Sequence, residues 1–163
     1  MSAGANFTLG ITASATVVAF PTNFIGSNII CDPTSTITYQ CNANQVINKD
    51  FNYGNLILSS GAAASSKSPP TPSTLSILGN LTINTSTTLQ GANVIINLDG
   101  SILAGTGTLN FTTGTLNIKG SNNAFTGSYV WGAGSTINFI SERRKICLRL
   151  KLTPSKLKML LNN

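Results

Sequence analysis

Apolar and polar residues alternate along residues 1–140 in many short bursts, each ended by Gly, Asn or Ser. Alternation with a period of two is typical of β-strands, and no helix-length stretch repeats its apolar residues about every 3.6 positions. The clearest bursts cover 36–39, 55–58, 75–78, 81–84, 94–98, 109–111 and 116–118. Strands this short bury few side chains each. The pattern therefore predicts an all-β fold in which the strands stack into something larger.

The strand-like segments also resemble one another. Ser-Thr-Ile-Thr-Tyr at 35–39 recurs as Ser-Thr-Ile-Asn-Phe at 135–139, and the Gly-Asn-Leu-Thr-Ile-Asn of 79–84 is echoed at 107–112 and 114–119. Such self-similarity is typical of a solenoid, in which each coil covers the apolar edge of the last. Thr and Asn form ladders on stacked coils, and Gly supplies positive φ angles at corners. The sequence predicts a single-stranded parallel β-helix of roughly six short coils, with a β-sandwich as the alternative.

One segment interrupts the alternation. Residues 61–73 are rich in Pro, Ser and Ala. Because Pro has no N–H to donate to a sheet, this segment is expected to be a surface loop that leaves the solenoid.

The charge of the chain is concentrated at its end. The formal net charge is +6, yet residues 1–140 carry three Lys and three Asp, so the excess lies entirely in 141–163. Within that segment 145–152 alternates like an amphipathic strand, and no aromatic residue is interleaved for base stacking, so no nucleic-acid partner is expected. We interpret 1–140 as a β-solenoid repeat segment and 141–163 as a basic non-repeat tail, either frameshifted or disordered.

The composition argues against an enzyme. The chain has no His and only one Glu, whereas acid-base catalysis and metal ligation need such side chains at close quarters. We therefore expect no catalytic, cofactor-binding or metal-binding residue and no cofactor. The acids of residues 1–140, Asp32, Asp50 and Asp99, lie singly on predicted turns, where capping is their expected role. No apolar run reaches the roughly 18 residues of a membrane helix, so no transmembrane segment is expected.

Two cysteines bracket one predicted strand. Cys31 and Cys41 fit no metal or redox spacing. In an oxidising compartment they would be able to form a disulfide, and two buried free thiols are the alternative.

A few side chains are weak candidates for a ligand-binding face. Tyr129 and Trp131 share one face of a strand, where core packing competes with a platform for sugar rings. Thr106 and Thr108 resemble the Thr-x-Thr ladders of ice-binding solenoids. The next Thr-Gly-Thr follows only seven residues later, so the two copies are not expected to stack in register.

The order of the segments resembles a known family. The strand at 36–39, the Gln-Val-Ile of 45–47, the Tyr-Gly-Asn-Leu-Ile-Leu-Ser-Ser-Gly of 53–61 and the strand at 79–84 are similar to repeat units of large secreted, adhesin-like β-helix proteins of Bacteroidota. The resemblance covers most of 1–139. It implies an extracellular or cell-surface protein of the class exported by the type IX route, with the export signal outside this chain.

The same resemblance implies a function. It favours a non-catalytic structural or adhesive module whose partners are neighbouring repeats of a longer chain and surface glycans, with a carbohydrate- or ice-binding solenoid as the alternative. In that family the strand at 135–139 would continue into a further repeat, but the pattern stops after Ile140. We therefore expect a fragment that starts at an internal methionine and, with unprotected coil ends, is prone to aggregate.

Overall fold

The computed structural model describes residues 1–100, 102–120, 122–140 and 147–150. In these residues it is all-β apart from one 3-10 turn at Gly26–Asn28, as the alternation predicts. The strands are β1 (Asn6–Leu9), β2 (Thr36–Gln40), β3 (Gln45–Val46), β4 (Asn55–Ser59), β5 (Ser65–Ser68), β6 (Ser73–Ile77), β7 (Leu81–Ile83), β8 (Thr87–Gln90), β9 (Val94–Leu98), β10 (Ile102–Gly105), β11 (Thr108–Phe111), β12 (Thr115–Ile118), β13 (Asn122–Phe125), β14 (Ser128–Trp131), β15 (Thr136–Ile140) and β16 (Cys147–Leu150). No helix of the described residues is long and apolar enough to cross a membrane.

The strands form three sheets, and successive coils contribute one strand to each. Sheet A has the order β1-β2-β4-β7-β10-β13, sheet B the order β3-β5-β8-β11-β14, and sheet C the order β6-β9-β12-β15-β16. All pairs are parallel except β15 with β16. Thr88, Thr108 and Ser128 are partners in neighbouring strands, so one coil takes 20 residues there. The predicted parallel β-helix is confirmed and the sandwich is excluded. Because sheet B holds five strands, the solenoid has about five turns rather than six.

The sequence echoes relate different faces of the coil, not successive coils. Residues 79–84 contain β7 of sheet A, 107–112 contain β11 of sheet B, and 114–119 contain β12 of sheet C. Each face of the coil consists of the same local unit: a corner followed by a short strand with apolar residues inside and polar residues outside. Similar segments therefore recur more often than once per coil.

The interior consists of apolar columns that run through the coils. The inward side chains of sheets A and C pair in register, and most are at most 1% exposed; examples are Ile37, Leu56, Leu81 and Leu103 in sheet A and Leu75, Ile96, Leu116 and Ile137 in sheet C. Burying one such side chain contributes about 1.5–3 kcal/mol. The columns are thus the main source of cohesion between coils.

The predicted loop at 61–73 is wrong, because β5 lies inside it. Ser65–Ser68 pairs in parallel with β3 on one side and β8 on the other. Its Ser-Ser-Lys-Ser sequence has no apolar residue to reveal the inward face, so the alternation did not show the strand. Pro69, Pro70 and Pro72 follow the strand and precede β6, so they remove no hydrogen bond from β5.

Two corner glycines allow the backbones of neighbouring coils to pack closely and do not adopt positive φ angles. Among the described glycines, the left-handed region is occupied only by Gly4, Gly10 and Gly105. Gly79 and Gly100 precede β7 and β10. A Cβ on Gly100 would overlap the Gly79 carbonyl of the previous coil. The expectation that corner glycines supply positive φ is therefore wrong at these two positions, where close backbone stacking is the reason for Gly.

The predicted strand in the basic tail is present in part. β16 covers Cys147–Leu150 and pairs antiparallel with β15, opposite Ile137–Ile140. The remainder of 141–163, for which we expected a frameshifted or disordered tail, lies outside the described residues.

Candidate functional site

An asparagine ladder runs along the outer face of sheet C. Asn97, Asn117 and Asn138 occupy equivalent positions of β9, β12 and β15. The Asn117 side-chain amide donates to Asn97 Oδ1 at 2.7 Å, and the Asn138 amide donates to Asn117 Oδ1 at the same distance. Each amide thus bonds to the next across the spacing of neighbouring strands, roughly 4.8 Å. The ladder joins three coils through polar side chains.

A column of hydroxyl groups lies on the outer face of sheet B. Ser66, Thr88, Thr108 and Ser128 are in register on four consecutive strands. Thr108 is the member of this column that the sequence indicated; the other three were not predicted. The 20-residue coil length is the signal that would have identified Thr88 and Ser128. It is difficult to recognise in the sequence, because similar segments also recur on different faces of the same coil. The column presents hydroxyls at roughly 4.8 Å intervals.

The other threonine candidates occupy different places. Thr106 is exposed at the corner before β11, where its Oγ1 lies 2.6 Å from Thr85 Oγ1 of the previous coil. Thr115, in the second Thr-Gly-Thr, belongs to β12 of sheet C. The two Thr-Gly-Thr copies therefore do not stack on each other.

Tyr129 and Trp131 lie on β14, the last strand of sheet B. Both are half-buried and pack against the core. Trp131 stacks on Phe111 with ring centroids 5.0 Å apart, and Tyr129 meets the edge of Phe125 at 5.1 Å. Burial raises the pKa of Tyr129 to about 12. The two rings thus pack inward on the last coil instead of forming an outer platform.

Cys31 and Cys41 are both buried and free. Cys31 precedes β2 and Cys41 directly follows it, and no disulfide joins them.

A polar cluster lies inside the solenoid, where the other columns are apolar. Lys67 on β5 points inward and is 0% exposed. Its Nζ donates to the carbonyls of Cys41 at 2.9 Å and Ala43 at 2.8 Å, and lies 3.9 Å from Cys41 Sγ. Desolvation lowers the pKa of Lys67, and the neighbouring Cys41 opposes this shift. The cluster could not be predicted from the sequence, because a lysine in a polar segment is typical of a surface.

Gln45 extends this polar interior on β3. Its amide donates to the carbonyls of Leu9 at 3.2 Å and Val18 at 3.0 Å. Gln45 pairs with Lys67 across the sheet, so two successive coils place a polar side chain at the same inward position.

A second buried polar network joins two tyrosines. The hydroxyls of Tyr39 and Tyr53 lie 2.9 Å apart; Tyr39 Oη accepts from the backbone N–H of Asn48, and Tyr53 Oη donates to the Asn48 carbonyl. Both side chains are fully buried. Desolvation raises the pKa of Tyr39 and raises that of Tyr53 well above its usual value.

Each of the acids Asp32, Asp50 and Asp99 has a different partner. Asp32 Oδ1 accepts hydrogen bonds from the backbone N–H and hydroxyl of Thr34, which lowers the pKa of Asp32. Asp99 pairs with Lys119 at 2.7 Å, and Asp50 pairs with its neighbour Lys49. Among the described residues no group of three or more His, Cys, Asp or Glu could hold a metal ion.

Comparison with protein-family models, with curated proteins and with solved structures gives no match for this chain. A function for this chain is therefore inferred from its fold and from the arrangement of its side chains.

Proposed function

We propose that this chain is a non-catalytic structural or adhesive module of an extracellular or cell-surface repeat protein. In this role the stacked coils form a stiff spacer that holds other elements away from a surface. The sequence resemblance to secreted, adhesin-like β-helix proteins of Bacteroidota, exported by the type IX route, agrees with such a role.

The observation that carries the proposal is the ladder Asn97–Asn117–Asn138. Its amides bond to one another coil after coil at 2.7 Å. Polar side chains there join coils rather than converging on a common point in a cleft. Together with the apolar columns inside, this arrangement resists separation of the coils, as a spacer requires.

The partners proposed for the module are neighbouring repeats of a longer chain. The segment between β1 and β2 carries exposed apolar side chains, including Phe24, Ile25 and Ile30 at 60–80% exposure. Val130 is exposed on β14, the edge strand of sheet B. Edge strands and apolar ends of this kind are covered by further coils or caps in solenoid proteins.

A second candidate function is recognition of carbohydrate or ice. The column Ser66–Thr88–Thr108–Ser128 favours it, because regularly spaced hydroxyls on one flat face can match a repeating ligand surface. Surface glycans would be the partners in this case.

A binding screen separates the two functions. The purified chain is applied to a glycan array and to an ice-affinity column, together with Thr108→Ala. Thr115→Ala is the matched control, since it removes the same side chain from sheet C. A module that acts only as a spacer predicts no retention on either surface. Retention that Thr108→Ala abolishes and Thr115→Ala preserves would instead establish the binding function.

A further inference from the structure

We propose that Cys41 and Lys67 are a site of oxidative cross-linking, in which one oxygen atom joins Cys41 Sγ to Lys67 Nζ and ties two neighbouring coils together. Cys41 follows β2 in one coil and Lys67 lies on β5 in the next. The bond would act as a covalent staple that a thiol reductant opens.

The geometry brings the two groups together and isolates them. Both side chains are 0% exposed, and Sγ and Nζ are 3.9 Å apart. The thiol and the amine also donate to the same acceptor, the Ala43 carbonyl, at 3.4 and 2.8 Å. Two nucleophiles are thus held side by side, and both are closed off from competing reactants in solvent.

The electrostatics keep the amine available for reaction. An ammonium ion in an apolar interior is costly unless an anion pairs with it. The described partners of Lys67 Nζ are two neutral carbonyls and a thiol, so the free amine is favoured. The free amine is the form that can bond to oxidised sulfur.

The reaction is balanced with dioxygen as the oxidant. The thiol S–H and one amine N–H break, and S–O and O–N bonds form. Sulfur and nitrogen give up two electrons each, and dioxygen takes up all four. One oxygen atom becomes the bridge; the other leaves as water with the two released hydrogens. A bridging oxygen fits the 3.9 Å gap better than a direct sulfur–nitrogen bond, which needs a closer approach.

Mass spectrometry of the full chain tests the proposal. The chain is purified in reductant, transferred to oxygen-saturated buffer, and compared before and after incubation. The bridge adds one oxygen and removes two hydrogens, a gain of about 14 Da that reductant reverses. Trypsin then leaves peptide 1–49 joined to 50–119, because modified Lys67 is not cleaved, and fragmentation places the link on Cys41.

Variants and melting provide the controls. Cys41→Ser and Lys67→Met should lose the 14 Da gain, whereas Cys31→Ser, which removes the other free thiol that the structure describes as buried, should retain it. The bridged chain should melt about 5–10 °C above the reduced chain, since the staple restricts the unfolded state.

Three results would overturn the proposal. The first is a wild-type chain whose Cys41 and Lys67 stay unmodified after the incubation. The second is oxygen added to Cys41 that persists in Lys67→Met, which indicates ordinary thiol oxidation. The third is a cross-linked chain about 2 Da lighter than the unmodified chain, which indicates a direct sulfur–nitrogen bond.

Discussion

The Asn138 side-chain amide donates a 2.7 Å hydrogen bond to Asn117 Oδ1 on the neighbouring coil. The same geometry recurs between Asn117 and Asn97. Asn117 is therefore both donor and acceptor, and it is the central member of the ladder.

Asn117→Ala should lower the free energy of unfolding by about 1–3 kcal/mol, because it removes two side-chain hydrogen bonds and leaves Asn97 Oδ1 without its donor. Chemical denaturation measures the change. Asn110→Ala is the matched control on sheet B, where Asn110 Oδ1 is buried with no partner, and it should be neutral or slightly stabilising. Equal losses in the two variants would show that the ladder contributes nothing specific.

Gly114→Ala should destabilise the solenoid by about 3 kcal/mol or prevent folding, because a Cβ there would overlap the Gly91 carbonyl of the previous coil. Gly134→Ala is the control at the equivalent corner of the next coil, where the nearest atom to the added Cβ is the Thr113 methyl group at 3.3 Å. Thermal melting followed by circular dichroism compares the two. A Gly114→Ala chain as stable as Gly134→Ala would contradict the close backbone stacking.

Stability should rise with pH as the pH approaches about 10, and Lys67 is the cause. Burial lowers the pKa of its amine below the usual 10.5, so in this range the unfolded chain binds more protons than the folded chain. Lys67→Met should flatten the slope. Lys49→Met, at an exposed lysine, should leave it unchanged. The melting temperature of each chain across this pH range is the measurement, and an unchanged slope in Lys67→Met would refute the assignment.

Above about pH 10 the tyrosines should reverse this trend. Burial raises the pKa of all three, to about 12 for Tyr129, so the folded chain retains protons that the unfolded chain has lost. The stabilisation they provide is complete below the usual value of 10 and is lost as pH rises through their folded pKa values. Ultraviolet absorbance should show tyrosinate only as the chain unfolds, whereas denatured protein titrates near 10. Tyrosinate in the folded chain at pH 10 would count against this burial.

Much of the fold could be predicted from local patterns. The alternation located strands such as β4 and β9, and short strands without helices required stacking into a solenoid. The burial of Leu56 and Leu58 also follows from the alternation, because alternate residues of a strand share a face.

The candidate sites could be predicted less well. Thr108 was identified, but its column became visible only from the coil length, which sets the registry between strands. Lys67 and β5 were missed because nothing in Ser-Ser-Lys-Ser signals an inward lysine. Its burial depends on the Cys41 and Ala43 carbonyls of another coil, which accept its hydrogen bonds.

The sequence by itself determined the all-β class, many of the strands, the parallel stacking and the separation of a neutral body from a basic end. These follow from side-chain period and composition, which are local properties. Only the tertiary structure decided which residues meet: Asn117 with Asn97, Thr108 with Thr88, and Lys67 with Cys41. The physical reason is that contacts between coils depend on the number of residues in each turn, and one added or lost residue would shift every partner.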